Sequence, residues 1–115
     1  MTESTIDLAT LEALKESAGA DFVRELIDTF LAEAPAMLRD LRDALAANDA
    51  DRFRRAAHSL KSNSMTFGAL TLGAMARSLE LDGIGPVQRA GGKPLDLLAD
   101  EYARVAKALS ELGNA

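Results

Sequence analysis

Apolar residues recur at spacings of three and four along almost the whole chain, and that period is the period of an α-helix buried on one face. Leu8, Leu11 and Leu14 begin it, and Phe22, Leu26, Ile27, Phe30, Leu31, Ala34, Leu38, Leu41 and Leu45 carry it through a long second segment. Phe53, Ala56, Ala57, Leu60, Ser64 and Phe67 continue it. Ala69, Leu72, Ala76 and Leu79, with Met75 beside them, and finally Leu95, Leu98, Tyr102, Val105, Leu109 and Leu112 complete it. β-branched and aromatic residues, which strands favour, are few, and aromatics are only 4% of the residues. The expectation is an all-α protein.

Punctuation residues divide this pattern. Asp7 is placed to cap a short helix over 8–17, with Gly19 just past its end. A helix over 21–47 contains Pro35, which removes an amide donor and crowds the preceding turn, so a kink or two abutting helices are expected there. Asn48-Asp49 supplies a turn into a helix over 50–66, and Gly68 marks the reversal into a helix over 69–81. Small Gly73, Ala74 and Ala76 on that fourth helix allow a neighbour to come close. Residues 83–94 hold four of the eight glycines and two of the three prolines and read as a loop before the last helix. The sum is an up-and-down four-helix bundle with a short extra N-terminal helix. It forms a single domain over 1–115, with a disordered stretch over about 1–6.

Counting excludes much chemistry. There is no cysteine, so disulfides, thiolate metal sites and thiol nucleophiles are out, and one histidine cannot build a two-histidine metal site. No metal site is expected, although counting alone leaves a carboxylate-only magnesium or calcium site open. The N-terminus lacks a basic start and an apolar run, and nowhere do roughly 18 apolar residues follow one another. The chain reads as a soluble cytoplasmic protein without a membrane partner. A net charge of −5 argues against nucleic acid. The Arg52, Arg54, Arg55 run does not reverse that reading, because its face lacks stacking aromatics. Gly92-Lys93 is no phosphate-binding loop, since Pro94 stands where Ser or Thr is needed and Val87 where the first glycine belongs.

The one histidine, His58, is turned away from the Phe53, Ala57, Leu60 stripe and so belongs to the solvent face. Helical spacing gathers Arg54, Arg55, Lys61 and Ser62 around it, with Met65 a turn further on. Four basic residues against one acid between Ala50 and Ser62 give that stretch +3 and leave −8 elsewhere. Cations disfavour protonation of the ring, which keeps a nitrogen free as a nucleophile, and they can hold a phosphoryl group. If the third and fourth helices form a hairpin reversing near Gly68-Ala69, Glu80 lies at the height of His58. A carboxylate on Nδ1 would fix the tautomer and leave Nε2 to react.

The run from His58 through Ser59, Leu60, Lys61, Ser62, Asn63, Ser64, Met65, Thr66, Phe67 and Gly68 to Ala69, followed by Leu72, Leu79 and Glu80, resembles the signature of histidine-containing phosphotransfer (HPt) domains. That signature is His, any residue, Leu, Lys, Gly, Ser or Ala twice, then a spaced Gly-Ala. Asp21-Phe22 resembles the family's Asp-Phe at the start of a long helix, so the likeness spans about Ile6 to Leu112. Ser62 departs from it where many members have glycine, and Asn63 where Ser or Ala is common.

The resemblance implies that His58 accepts the phosphoryl group, that Lys61 steadies its oxygens, and that Glu80 orients Nδ1. It further implies that Gly68 ends the helix and that Arg54, Arg55, Ser62 and Met65 meet a partner. The implied function is a phosphorelay intermediate. His58 would take a phosphoryl group from a receiver aspartyl phosphate or a histidine kinase, hybrid kinases included, and pass it to a response-regulator receiver aspartate. The chain would be a monomeric phosphocarrier, not an enzyme with its own ATP-dependent kinase site. It would bind no cofactor, the magnesium lying on the receiver. The alternative reading is a non-catalytic helical adaptor that binds a partner through the His58 face.

Overall fold

The computed structural model describes residues 5–113. Helices α1 (Leu8–Ala18), α2 (Ala20–Ala47), α3 (Ala50–Thr66), α4 (Leu70–Asp82), α5 (Ile84–Arg89) and α6 (Lys93–Gly113) follow one another, with no strand among the described residues. The bundle consists of α2, α3, α4 and α6. Its tightest pairings are α3 with α4 and α3 with α2, while α6 closes it against α2 and α4. Phe30, Phe53, Ile27, Leu41, Leu60, Leu72, Leu98 and Leu109 are buried at its centre, and Leu11 of α1 joins them. The Phe30 ring lies 5.4 Å from Phe67 and 6.0 Å, edge-on, from Tyr102.

The α3 stripe is buried as its spacing requires, from Phe53 to Phe67. Two stripe ends are not. Leu8 is 52% and Phe22 51% exposed, and the buried line along α2 starts at Val23 and runs through Ile27, Phe30, Ala34, Leu41 and Ala44. At the starts of α1 and α2 no neighbour covers these two side chains, so each keeps the period without finding a partner. The disordered stretch expected over 1–6 lies partly outside the described residues, but Ile6 is buried in the core. Asp7 stands at the N-cap of α1, yet its carboxylate accepts from Thr10 Oγ1 at 2.5 Å and makes no bond to a backbone amide.

The 83–94 segment is not simply a loop. Residues 84–89 form α5, anchored by buried Ile84 and Val87 one turn apart. Pro86 and Pro94 fall in the first turns of α5 and α6, where an amide has no helical acceptor anyway, so proline does not oppose the helix. Gly83, Gly91 and Gly92 supply the left-handed backbone between the elements.

Pro35 does not split α2 into two helices, because α2 is continuous across it. A proline at 35 leaves the carbonyl of Leu31 without its amide donor, and the hydroxyl of Tyr102 on α6 donates to that same oxygen over 3.5 Å. Burial of the phenol raises its pKa, which keeps the donor proton in place. Tyr102→Phe should therefore cost about 0.5–1 kcal/mol, the net worth of a typical hydrogen bond. A chemical-denaturation midpoint equal to that of the parent would show that Leu31 is satisfied by other means.

Gly68 ends α3 at φ +79°, and its carbonyl accepts from the Asp7 amide at 2.7 Å. The segment just before α1 is thereby tied at Asp7 to the α3–α4 turn. A Cβ at 68 would stand 2.7 Å from the Asp7 carbonyl oxygen and 3.1 Å from Thr10 Cβ. Close approach and backbone conformation thus both select glycine here.

Candidate functional site

His58 projects from the middle of α3 with its side chain 57% exposed. Leu60 and Ala57 on either side of it are fully buried, so the register of α3 is pinned by packing and the histidine has one direction left to it. Across the hairpin, Glu80 reaches from the last turn of α4. Its Oε2 lies 2.8 Å from His58 Nδ1, and its Oε1 lies 2.8 Å from Lys61 Nζ. One carboxylate therefore spans both residues.

Glu80 is 18% and Lys61 26% exposed in their side chains. Oε1 is closed off from solvent and has no aligned hydrogen-bond donor, so the lysine meets it as a charge contact rather than a directed bond. The Lys61 ammonium first, and the His58 ring second, hold the Glu80 carboxyl below the usual carboxylate range. An ionised carboxylate only accepts, so Nδ1 carries the proton and donates it to Oε2. In the neutral ring Nε2 then has the lone pair.

A carboxyl whose pKa is lower folded than unfolded adds stability that is complete above the ordinary glutamate value of about 4.3 and is lost as pH falls through the folded value. Glu80→Gln should accordingly be less stable than the parent at neutral pH, with the gap in urea midpoint closing below about pH 4. A gap independent of pH would mean that the charge of Glu80 contributes nothing.

The +3 stretch read from the sequence is largely compensated in the fold. Arg54 and Arg55 both engage Asp51, at 2.5 and 3.3 Å, one turn back on α3. Arg52 crosses to α2, at 2.7 Å from Asp40 and 3.6 Å from Asp43, and hydrogen bonding to Asp40 raises its pKa further. Lys61 is spent on Glu80. The cationic field proposed around the ring is therefore replaced by a local array of ion pairs, with an anion as the nearest charge to Nδ1. The Asp51 pairs follow from spacings of three and four and were readable from the sequence; the Arg52 pairs were not, because they need the α2–α3 register.

The other residues singled out lie on the same helix. Ser62 is exposed, and its carbonyl accepts from Thr66 Oγ1 at 2.9 Å. Met65 is 46% exposed and lies over Gly73 of α4, where a Cβ would come within 2.5 Å of its sulfur. Arg55 and Ser59 also line a groove of about 390 Å³ with Met37, Asp40, Arg52 and Ala56, between α2 and α3. No sequence signal pointed to that groove, which depends on how two helices diverge.

Among the described residues no helix is long and apolar enough to cross a membrane. Comparison with known proteins gives a consistent result. A family model described as Hpt domain matches residues 25–115. The fold is similar to the crystal structure of histidine-containing phosphotransfer protein B (HptB) from Pseudomonas aeruginosa PAO1, with a TM-score of 0.87, 31% sequence identity, and coverage of 98% of this chain and 97% of that one. No curated protein matches the sequence. A paired, outward-facing histidine on a four-helix bundle thus coincides with a family match over most of the sequence, and the chain belongs to the Hpt domain family, the phosphotransfer proteins of two-component phosphorelays.

Proposed function

We propose that His58 is the phosphoacceptor, loaded from a receiver aspartyl phosphate or a histidine kinase, hybrid or not, and discharged to the aspartate of a response-regulator receiver. The observation that carries this reading is the exposed ring whose Nδ1 is tied to Glu80 at 2.8 Å, which leaves Nε2 as the reacting atom. In loading, the Nε2 lone pair forms a bond to phosphorus while the P–O bond breaks, and the aspartate carboxylate leaves with that electron pair. Discharge is the reverse. Glu80 keeps the Nδ1 proton in place throughout and offsets positive charge on the ring. Lys61 supplies a cation to the phosphoryl oxygens.

Magnesium, in this reading, is bound by the receiver, and the nucleotide by a kinase. The protein is then a monomeric cytoplasmic carrier. Arg54, Arg55, Ser62 and Met65 form the rim that meets the partner. Since both arginines are held by Asp51, the rim offers a mixed polar surface with one apolar contact, Met65, and not a field of one sign.

Incubation with phosphorylated receivers should place on the protein a label that is stable in alkali and lost in acid, and peptide mapping should locate it at His58. A label mapping to any other residue sinks this reading.

A further inference from the structure

Lys61 and His58 touch the same carboxylate, each at 2.8 Å, one on each oxygen. A lysine in that position is not available to a phosphoryl group on Nε2 while it remains on Oε1. We propose that Glu80 holds Lys61 in reserve in the unphosphorylated protein, and that the ammonium leaves Oε1 for the phosphoryl oxygens once His58 is loaded, the Nδ1 contact to Oε2 being kept. This rests on His58 being the phosphoacceptor.

Three features of the site support an exchange rather than a fixed pair. The ion pair is not aligned as a hydrogen bond, so charge rather than direction holds it, and a stronger anion can compete for the ammonium. Lys61 retains solvent access, and its four-carbon stem lets the head group turn while the residue stays in the helix. A phosphoryl group on the ring brings about two negative charges to the exposed side of the site, against one on Glu80. After the exchange Glu80 still accepts from Nδ1. The carboxylate therefore alternates between two partners and one, and the lysine moves with the phosphate.

The test needs no partner protein, because phosphoramidate donates directly. In its zwitterion the nitrogen already carries three protons. As the Nε2–P bond forms, the P–N bond breaks and its electron pair leaves with the nitrogen as ammonia, with the Nδ1 proton still on the ring. Lys61 is one of four lysines, so its side-chain amino resonance in the ¹⁵N-labelled protein can be assigned with Lys61→Met.

Phosphorylation should shift the Lys61 resonance. In Glu80→Gln, whose amide oxygen can still accept from Nδ1 while its charge is gone, the unphosphorylated protein should already show Lys61 as a solvated lysine. The phosphorylated form should match the phosphorylated parent. By rate, Lys61→Met should slow loading about two- to fivefold more in the Glu80→Gln background than in the parent, the scale of a partly exposed ion pair. A Lys61 resonance that does not move at full occupancy of His58 overturns the exchange and leaves the phosphoacceptor reading intact, as does equal slowing in the two backgrounds. Failure of phosphoramidate to label His58 at all overturns the phosphoacceptor reading, and the exchange with it.

Discussion

His58→Gln should reduce phosphoryl acceptance to the assay background, more than about a thousandfold below the parent, the scale on which loss of an attacking group acts. Glutamine has no nitrogen lone pair free to attack phosphorus, because its amide nitrogen is delocalised into the carbonyl. It still reaches from the same point on α3 and can donate to Glu80. The substituted side chain is mostly solvent-exposed, so folding stability should stay within about 0.5 kcal/mol of the parent, as is usual for such surface changes. The useful contrast is between transfer and binding. A phosphocarrier loses transfer and keeps receiver affinity within a few-fold, since the rim at Arg54, Arg55, Ser62 and Met65 is untouched. Equal labelling of His58→Gln and parent would end the phosphocarrier reading and favour an adaptor.

Gly68→Ala should produce the largest loss of stability from a single methyl group. The residue has φ +79°, which costs an L-residue roughly 1–2 kcal/mol. The added Cβ would also sit 2.7 Å from the Asp7 carbonyl oxygen, so the segment carrying buried Ile6 must shift and the 2.7 Å bond from the Asp7 amide is weakened. Together these give about 2–4 kcal/mol, or on the order of 10–20 °C in Tm for a domain of this size. Gly19 and Gly83 are the controls. Their φ values are +93° and +78°, but nothing lies within 4 Å of an added Cβ. Alanine at either should cost the backbone strain alone, roughly 1–2 kcal/mol. If all three variants melt together, the clash with Asp7 contributes nothing and only backbone conformation matters at 68.

How much of this was legible in the sequence depended on whether a residue answers to its own helix or to another one. The α3 stripe from Phe53 to Phe67 and the exposure of His58 are consequences of one period and are read directly. Leu8 and Phe22 share that period but stand where no second element covers them. The six-residue α5 was hidden by composition: glycine and proline mark turns in general, yet Pro86 falls in a first turn, and the Ile84, Val87 pair carries the helix. The Glu80 contact to His58 could be anticipated because a tight hairpin equates distances from its reversal. The lysine on the other oxygen of the same carboxylate could not, because it depends on how the long Lys61 stem folds across the α3–α4 seam, which only atomic geometry shows.

The proline in α2 has a consequence for how the molecule opens. With no amide at 35, cooperative backbone bonding through the helix is thinnest at that point, and the joint relies on Tyr102 from α6. Hydrogen exchange should therefore divide α2 into two units. The stretch carrying Val23 and Ile27 would open at lower free energy than the stretch carrying Leu41 and Ala44, which is backed by α3. His58 sits on the more protected side of that divide, in the α3–α4 hairpin. Transient fraying where the chain begins would then leave the nucleophile and its two charged neighbours undisturbed, as though the site were mounted on the stiff half of a hinged frame.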